Sequence, residues 1–143
     1  MSASHFRELE VWQLAMGLAK SVYEITAGFP RDERYGLTSQ IQRSAVSIPS
    51  NIAEGNARMS TRDYARFVAV ALGSTAELQT QLLLSRDLGL GASTPIDEAL
   101  AMCDRVGRML QRLHQALRRK LLSESRVPSP ESRVAGDATR VPE

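Results

Sequence analysis

The sequence has few of the residues on which disulfides, metal sites and most catalytic sites depend. Its 143 residues include one cysteine and two histidines, so we expect no internal disulfide, no zinc site and no other bound metal or cofactor. No run of about 18 apolar residues is present, which predicts that nothing spans a membrane. The N-terminal residues also lack the basic-then-apolar order of a signal peptide. We therefore expect a single-domain cytoplasmic protein.

Groups suited to catalysis are equally scarce. Cys103 would need a histidine as its base, but His114 lies eleven residues later, or about 16 Å along the same predicted helix. Glu54 and Glu77 are possible carboxylate partners across two helices, but the Glu-x-x-His motifs of di-metal bundles are absent. The sequence thus predicts no catalytic residues, and an enzyme that uses Glu54 and Glu77 is the weakest of the functions considered.

Apolar residues recur at intervals of three and four, which indicates amphipathic helices, and no strand-like alternation is present. The pattern predicts helices over about 9–27, from Asp32 or Glu33 to Gly55, from a Ser60 cap to about 88, and from a Thr94 cap to Leu122. Short connections favour an all-α fold, an antiparallel up-down four-helix bundle over residues 1–122. Residues 123–143 are rich in Ser, Pro, Arg and Glu and are predicted to form a disordered C-terminal tail.

Small residues and a proline mark two positions within the predicted helices. Pro49 lies inside the second helix and predicts a kink, with Ser47 and Ser50 near enough to bond the backbone groups that it frees. Gly73 and Ser74 form a small-residue notch in the third helix that would let another helix approach closely.

Several apolar side chains have no place on one bundle core. Leu82, Leu83 and Leu84 are consecutive and point in three directions around a helix. Other residues also fall off the main apolar stripes, namely Leu14, Leu18, Val70 and Leu72. Soluble monomers seldom expose a large apolar patch, so the pattern predicts self-association.

The positive charge of the chain is carried by sixteen arginines and two lysines. Arginine suits bidentate contacts to phosphate, although codon preference alone could produce this excess. One run of the fourth predicted helix holds six basic residues and no acid, which makes it a candidate nucleic-acid contact: Arg105, Arg108, Arg112, Arg118, Arg119 and Lys120. The alternative is structural, because cations suit a helix C-terminus and arginine stems cover bundle surfaces.

The string SIPSNIAEG at 47–55 is the most distinctive segment of the chain. Together with Gly36-Leu37, Arg58, Gly73-Ser74 and Glu77-Leu78, and with the opening Phe6-Arg7-Glu8-Leu9, it resembles the four-helix-bundle proteins encoded in intervening sequences of bacterial 23S rRNA genes. These proteins are also catalogued as S23-type ribosomal proteins. The resemblance runs from about Phe6 to Leu90, while the last helix is similar in pattern only.

This resemblance implies an antiparallel bundle and a homopentameric ring. A distant relative of the family is an accessory protein that works with a reverse transcriptase and RNA, whereas the family's own biochemical role is not established. We therefore expect a non-enzymatic, oligomeric nucleic-acid or ribonucleoprotein accessory protein. The alternative is an oligomeric scaffold that binds another protein and no nucleic acid.

Polar residues of the distinctive segment are predicted to form a network beside the proline. The members are Ser47, Asn51, Glu54, Arg58 and Glu77. One interpretation is a contact site for a partner or for nucleic acid. The other is a structural network between the second and third helices, with Glu54 bonded to Arg58 or Arg62 and Asn51 to Gln81 or Ser74.

Overall fold

The computed structural model describes residues 5–125, and these residues form an all-α bundle. The helices are α1 (Glu10–Thr26), α2 (Leu37–Ala57), α3 (Thr61–Asp87) and α4 (Ser93–Ser125). Short 3₁₀ turns at Phe6–Glu8 and Arg31–Glu33 precede α1 and α2. The all-α four-helix prediction is confirmed. Of the predicted tail, residues 126–143 lie outside the described part of the chain.

Each helix packs antiparallel to the next, and α4 closes the bundle against α1. Along α2 and α3, Ser44 bonds to Glu77 while Ser47 bonds to Ser74, so the two chain directions oppose each other. On the far side, Arg86 near the end of α3 bonds to Asp97 near the start of α4. The order is therefore up, down, up, down.

Two helix starts differ from their predictions. Residues Arg31–Glu33 form a 3₁₀ turn, and α2 begins only at Leu37. Glu33, one of the two acids that suggested the helix start, lies before α2. Its Oε2 accepts the backbone N–H of Leu37 at 3.3 Å, so it caps the helix from the preceding turn. Helix α4 begins at Ser93, before the expected Thr94 cap, and continues to Ser125, three residues past the predicted domain boundary.

The start of α3 follows its sequence signal. The Ser60 hydroxyl accepts the backbone N–H of Asp63 at 3.2 Å, which satisfies one of the free amides of the first turn. This capping places α3 directly after the short connection that follows α2, so the two helices form a tight antiparallel pair.

The core runs along the bundle axis and includes residues from all four helices. Its largest fully buried side chains include Leu18, Ile48, Leu78 and Leu110. Leu18 corrects the expectation that it would be exposed, because the buried face of α1 is wide enough to contact both α2 and α4. Leu83 and Leu84 do remain exposed beside the fully buried Leu82.

Gly55 lies at a close contact and does not end α2, which continues to Ala57. A Cβ added at Gly55 would lie 2.7 Å from the Cβ of Phe67 and 3.2 Å from Cδ1 of Tyr64. Only glycine therefore allows this approach of α2 to α3. The predicted notch is divided between two sides of α3: no atom lies within 4 Å of the position of a Cβ at Gly73, which is open to solvent, whereas Ser74 is buried against α2.

We expect Gly55→Ala to lower the free energy of unfolding by about 1–3 kcal/mol, because its methyl group forces α2 and α3 apart. Gly17→Ala is the matched control, since a Cβ there meets no atom within 4 Å. It should raise stability by about 0.5–1 kcal/mol through helix propensity. Denaturant titration of both variants tests the close contact, and equal effects would contradict it.

Burial and the neighbouring Asp104 raise the pKa of the Cys103 thiol to about 12. We expect the folded protein to resist thiol reagents at neutral pH and the denatured protein to react fully. Because the unfolded thiol ionises near pH 9 and the folded one does not, stability should fall as pH rises from 9 towards 12. Cys103→Ala should lack this part of the pH dependence, and rapid labelling of the folded protein would contradict the prediction.

Candidate functional site

A row of hydrogen-bonded polar side chains joins α2 to α3, and we call it the polar seam. Its members are Ser44, Ser47, Asn51, Ser74, Glu77 and Gln81. Ser44, Ser74 and Gln81 are buried, whereas Glu77 reaches the surface at the edge of α3. The seam lies along one side of the interface, next to the apolar core.

The upper half of the seam centres on Ser47. Its hydroxyl lies 2.8 Å from the Ser74 hydroxyl across the interface. The Asn51 amide donates to the Ser47 carbonyl at 2.7 Å and to the Ser47 hydroxyl at 2.9 Å. Asn51 thus holds the serine side chain in place and links α2 to α3 through it.

The lower half of the seam centres on Glu77. Its Oε1 accepts the Ser44 hydroxyl at 2.9 Å and the Gln81 amide at 3.2 Å. Ser44 also donates to the Gln40 carbonyl at 3.0 Å, so its single proton is shared. The buried Oε1 of Gln81 has no partner among the described residues. A carboxylate bonded by two neutral donors is positioned to hold the helix register.

The predicted polar network differs from this arrangement in three respects. Glu54 and Arg58 form the expected ion pair at 3.1 Å, but the pair is half-exposed, lies within α2 and contacts α3 through the Arg58 guanidinium, which lies 5.2 Å from the centre of the Phe67 ring. Asn51 bonds to neither Ser74 nor Gln81 directly. The Ser47 hydroxyl bonds to Ser74 and Asn51, so it is not engaged by backbone groups freed at Pro49.

Sequence reasoning placed Arg43 or Ser44 on the polar face of the second helix but did not include Ser44 in the network, and it left Gln81 as one of two alternatives. Helical periodicity could have indicated both residues as members of the network. Ser44 lies one turn before Ser47 and Gln81 one turn after Glu77, so each shares a helix face with a predicted member. Only the antiparallel register of α2 and α3 shows that the two turns lie opposite each other.

The second candidate is the basic face of α4, defined by its six cations. All six are exposed: Arg105, Arg108, Arg112, Arg118, Arg119 and Lys120. The prediction that the whole row is uncompensated is wrong at Arg105, whose Nη2 lies 3.3 Å from Glu10 Oε1 on α1. That acid belongs to a neighbouring helix, so the sequence of α4 alone does not reveal it.

The C-terminal part of this face borders a cleft at the end of the bundle. Lys120 and Leu117 line it together with Asn56 and Tyr64 from the α2–α3 corner and Phe6 from the N-terminal turn. Burial raises the pKa of Tyr64, and its hydrogen bond to Asn56 partly opposes that shift. Arg58 also lines the cleft, which therefore combines two cations, an amide and a neutral phenol.

Neither candidate holds the donor set of a metal site. Within residues 5–125 no group of three or more His, Cys, Asp or Glu side chains is close enough to hold an ion. Glu54 and Glu77 are not brought together, because Glu77 bonds to Ser44 and Glu54 to Arg58.

We expect Ser47→Ala and Ser74→Ala each to lower the free energy of unfolding by about 0.5–1.5 kcal/mol, since each orphans a hydroxyl at the interface. The double variant should cost less than the sum of the two, as interacting pairs do. Ser50→Ala, at an exposed position of α2, is the control and should change stability by less than about 0.5 kcal/mol. Additive losses would show that the contact is not formed.

If the seam instead binds a partner, Asn51→Ala will leave thermal unfolding unchanged and lose that binding.

The comparisons with known proteins agree with this architecture. Residues 7–112 match the 23S rRNA-intervening sequence protein family. A crystal structure of a protein of unknown function from the S23 ribosomal protein family of Bacteroides thetaiotaomicron is similar in fold, with a TM-score of 0.66 at 19% sequence identity. The similarity covers 73% of this chain and 97% of that one. No curated protein matches this chain. Because the family match extends over most of its length, this protein belongs to the 23S rRNA-intervening sequence protein family.

Proposed function

We propose that this protein is a self-associating, non-enzymatic helical bundle that binds nucleic acid through the basic face of α4. The observation that carries the proposal is the composition of the segment from Arg105 to Lys120. It exposes six cations and contains no acid. Such a surface attracts a phosphate backbone whatever its base sequence.

The geometry of α4 supports a linear contact. Arg108, Arg112 and Arg119 lie on the side of the helix opposite the buried Val106, Leu110 and Leu117. From Arg108 to Arg119 the helix rises about 16 Å, which is the length of several consecutive phosphates. None of these three arginines makes a salt bridge within the described residues. Arg105 contributes less because it already pairs with Glu10.

Self-association would multiply this surface. The homopentamer that the family resemblance implies would carry five copies of the face, so one nucleic-acid strand could contact several subunits at high effective concentration. The exposed Val70, Leu83 and Leu84 support association, because they leave apolar surface uncovered on a single chain.

A non-enzymatic role agrees with the state of Cys103, the most nucleophilic side-chain type in the chain. Its thiol is buried and its raised pKa keeps it protonated at neutral pH. A protonated thiol without an adjacent base is a poor nucleophile.

The alternative function is a protein-binding scaffold without nucleic-acid affinity. The observation that favours it is the same exposed apolar surface of α3, which could receive a different protein. The two functions differ in their response to salt, because phosphate contacts release counterions and apolar contacts do not.

We expect affinity for a labelled single-stranded RNA or duplex DNA to fall steeply between about 50 and 200 mM salt. Arg108→Gln together with Arg112→Gln should reduce the salt slope of log K by about 1.4–1.8, the value for two lost phosphate contacts. Arg31→Gln with Arg34→Gln removes the same charge near the start of α2, at exposed positions, and should have little effect. Circular dichroism and particle mass should be unchanged in both variants.

Two outcomes would overturn the nucleic-acid role. One is an absence of binding at low salt, and the other is an equal loss of slope in the two double variants. Either result would favour the scaffold, because apolar docking does not depend on the arginines of α4.

A further inference from the structure

Helix α3 has an outer face that is unusually apolar for a surface. Between Arg66 and Arg86 the helix contains one charged residue, Glu77. The exposed residues of this stretch are mainly apolar, with Glu77 and Thr80 as the polar exceptions, and we call them the α3 face: Ala69, Val70, Gly73, Ala76, Glu77, Thr80, Leu83 and Leu84. Surface helices of soluble proteins normally present charged residues on this side.

The composition of α3 shows how much of it remains uncovered. By length and composition it could cross a membrane, yet only 39% of its most apolar window is buried in the bundle. Core helices of soluble proteins meet the same length and composition test when they are mostly buried. The α3 face therefore lacks a covering surface in the single chain.

A second, unlike apolar surface lies between α1 and α2, and we call it the α1–α2 groove. Its apolar lining is Phe6, Trp12, Met16, Tyr23, Val46 and Pro49. Met16, Tyr23 and Val46 are each 42–50% exposed, so large side chains project from this surface. The centre of the α3 face leaves room for these side chains, because Gly73 has no side chain and no atom lies within 4 Å of its Cβ position.

The charges of the two surfaces are also complementary. Lys20 lies in the α1–α2 groove and Arg43 beside it, and no acid is among the residues that line this surface. Neither cation makes a salt bridge within residues 5–125. Glu77, the single charge of the α3 stretch, is held at its α2 edge by Ser44 and Gln81.

The position of Glu77 argues against two α3 faces pairing with each other. Glu77 lies midway between Val70 and Leu84, so a two-fold contact centred on this face would bring two carboxylates together. Like charges in an apolar contact are strongly unfavourable. A contact between unlike surfaces avoids this repulsion and allows the carboxylate to approach Lys20 and Arg43.

We infer that the α3 face of one copy docks into the α1–α2 groove of a second copy. This inference rests on the self-association part of the proposed function and specifies its interface. The contact is heterologous. Each chain docks its α3 face into the groove of one neighbour, and its own α1–α2 groove binds the α3 face of another. A closed ring covers both apolar surfaces on every subunit, which a single pair of chains cannot do.

The test uses two variants with opposite defects. Val70→Lys with Leu84→Lys should block the α3 face, and Met16→Lys with Val46→Lys should block the groove. Light scattering without nucleic acid should show an assembly for the unaltered chain and particles of 15.7 kDa for each variant. Ala101→Lys with Gln111→Lys adds the same charge at exposed positions of α4 and should leave the assembly intact.

Mixing the two blocked variants is the decisive measurement. One retains an intact groove and the other an intact α3 face, so the mixture should form a one-to-one dimer and nothing larger. The milder substitutions Leu84→Gln and Met16→Gln should weaken assembly if the lysine variants do not fold.

Three outcomes would overturn the inference. Groove variants that still assemble would show that this surface is not used, and a mixture that stays monomeric would exclude the heterologous contact. An unaltered chain that is monomeric and binds neutral lipid vesicles would assign the α3 face to a membrane surface. If the chain assembles but ignores both sets of substitutions, only this interface fails, and self-association and nucleic-acid binding stand independently.

Discussion

The close approach of α2 to α3 is the contact on which the rest of this bundle depends. At Gly55 the backbone of α2 comes so near Phe67 that no side chain fits between them. Two turns earlier, the hydroxyl pair of Ser47 and Ser74 joins the same two helices. A slide of one helix along the other would break this hydrogen bond and create a clash, so both contacts set one register. Helices α1 and α4 then pack against a pair whose geometry is determined.

Residues of the distinctive segment at 47–55 lie on three sides of α2, and each side packs against a different part of the bundle. Ser47, Asn51 and Gly55 lie towards α3, while Ile48 and Ile52 are in the core. On the remaining side, Pro49 and Ala53 line the groove against α1. A helix with two close neighbours has few positions free to vary, because each of its sides meets a different packing requirement. This explains why a short segment identifies the fold so well and says little about binding.

The outer surfaces of α3 and α4 differ in their chemical character. The α3 face has one charge between Arg66 and Arg86, whereas α4 exposes six cations from Arg105 to Lys120. Apolar surface favours a permanent neighbour, since its burial is not screened by salt. A row of arginines favours binding to a polyanion, and the affinity of that binding falls as the salt concentration rises. The proposed assembly would bury the α3 face and leave the basic face of α4 accessible.

The sequence by itself determined the helical architecture, because spacings of three and four apolar residues report local geometry. The Ser60 cap, the buried position of Cys103 and the exposure of Leu83 and Leu84 were likewise readable from local pattern. The start of α2 could not be read from the local pattern, because acidic residues such as Asp32 and Glu33 occur at the start of a 3₁₀ turn as well as at the start of an α-helix. Tertiary structure decided the pairings between distant residues: Ser44 with Glu77, Gly55 with Phe67 and Arg105 with Glu10. Such contacts depend on the register and rotation of whole helices, and no spacing within a single helix encodes which residue lies across from it.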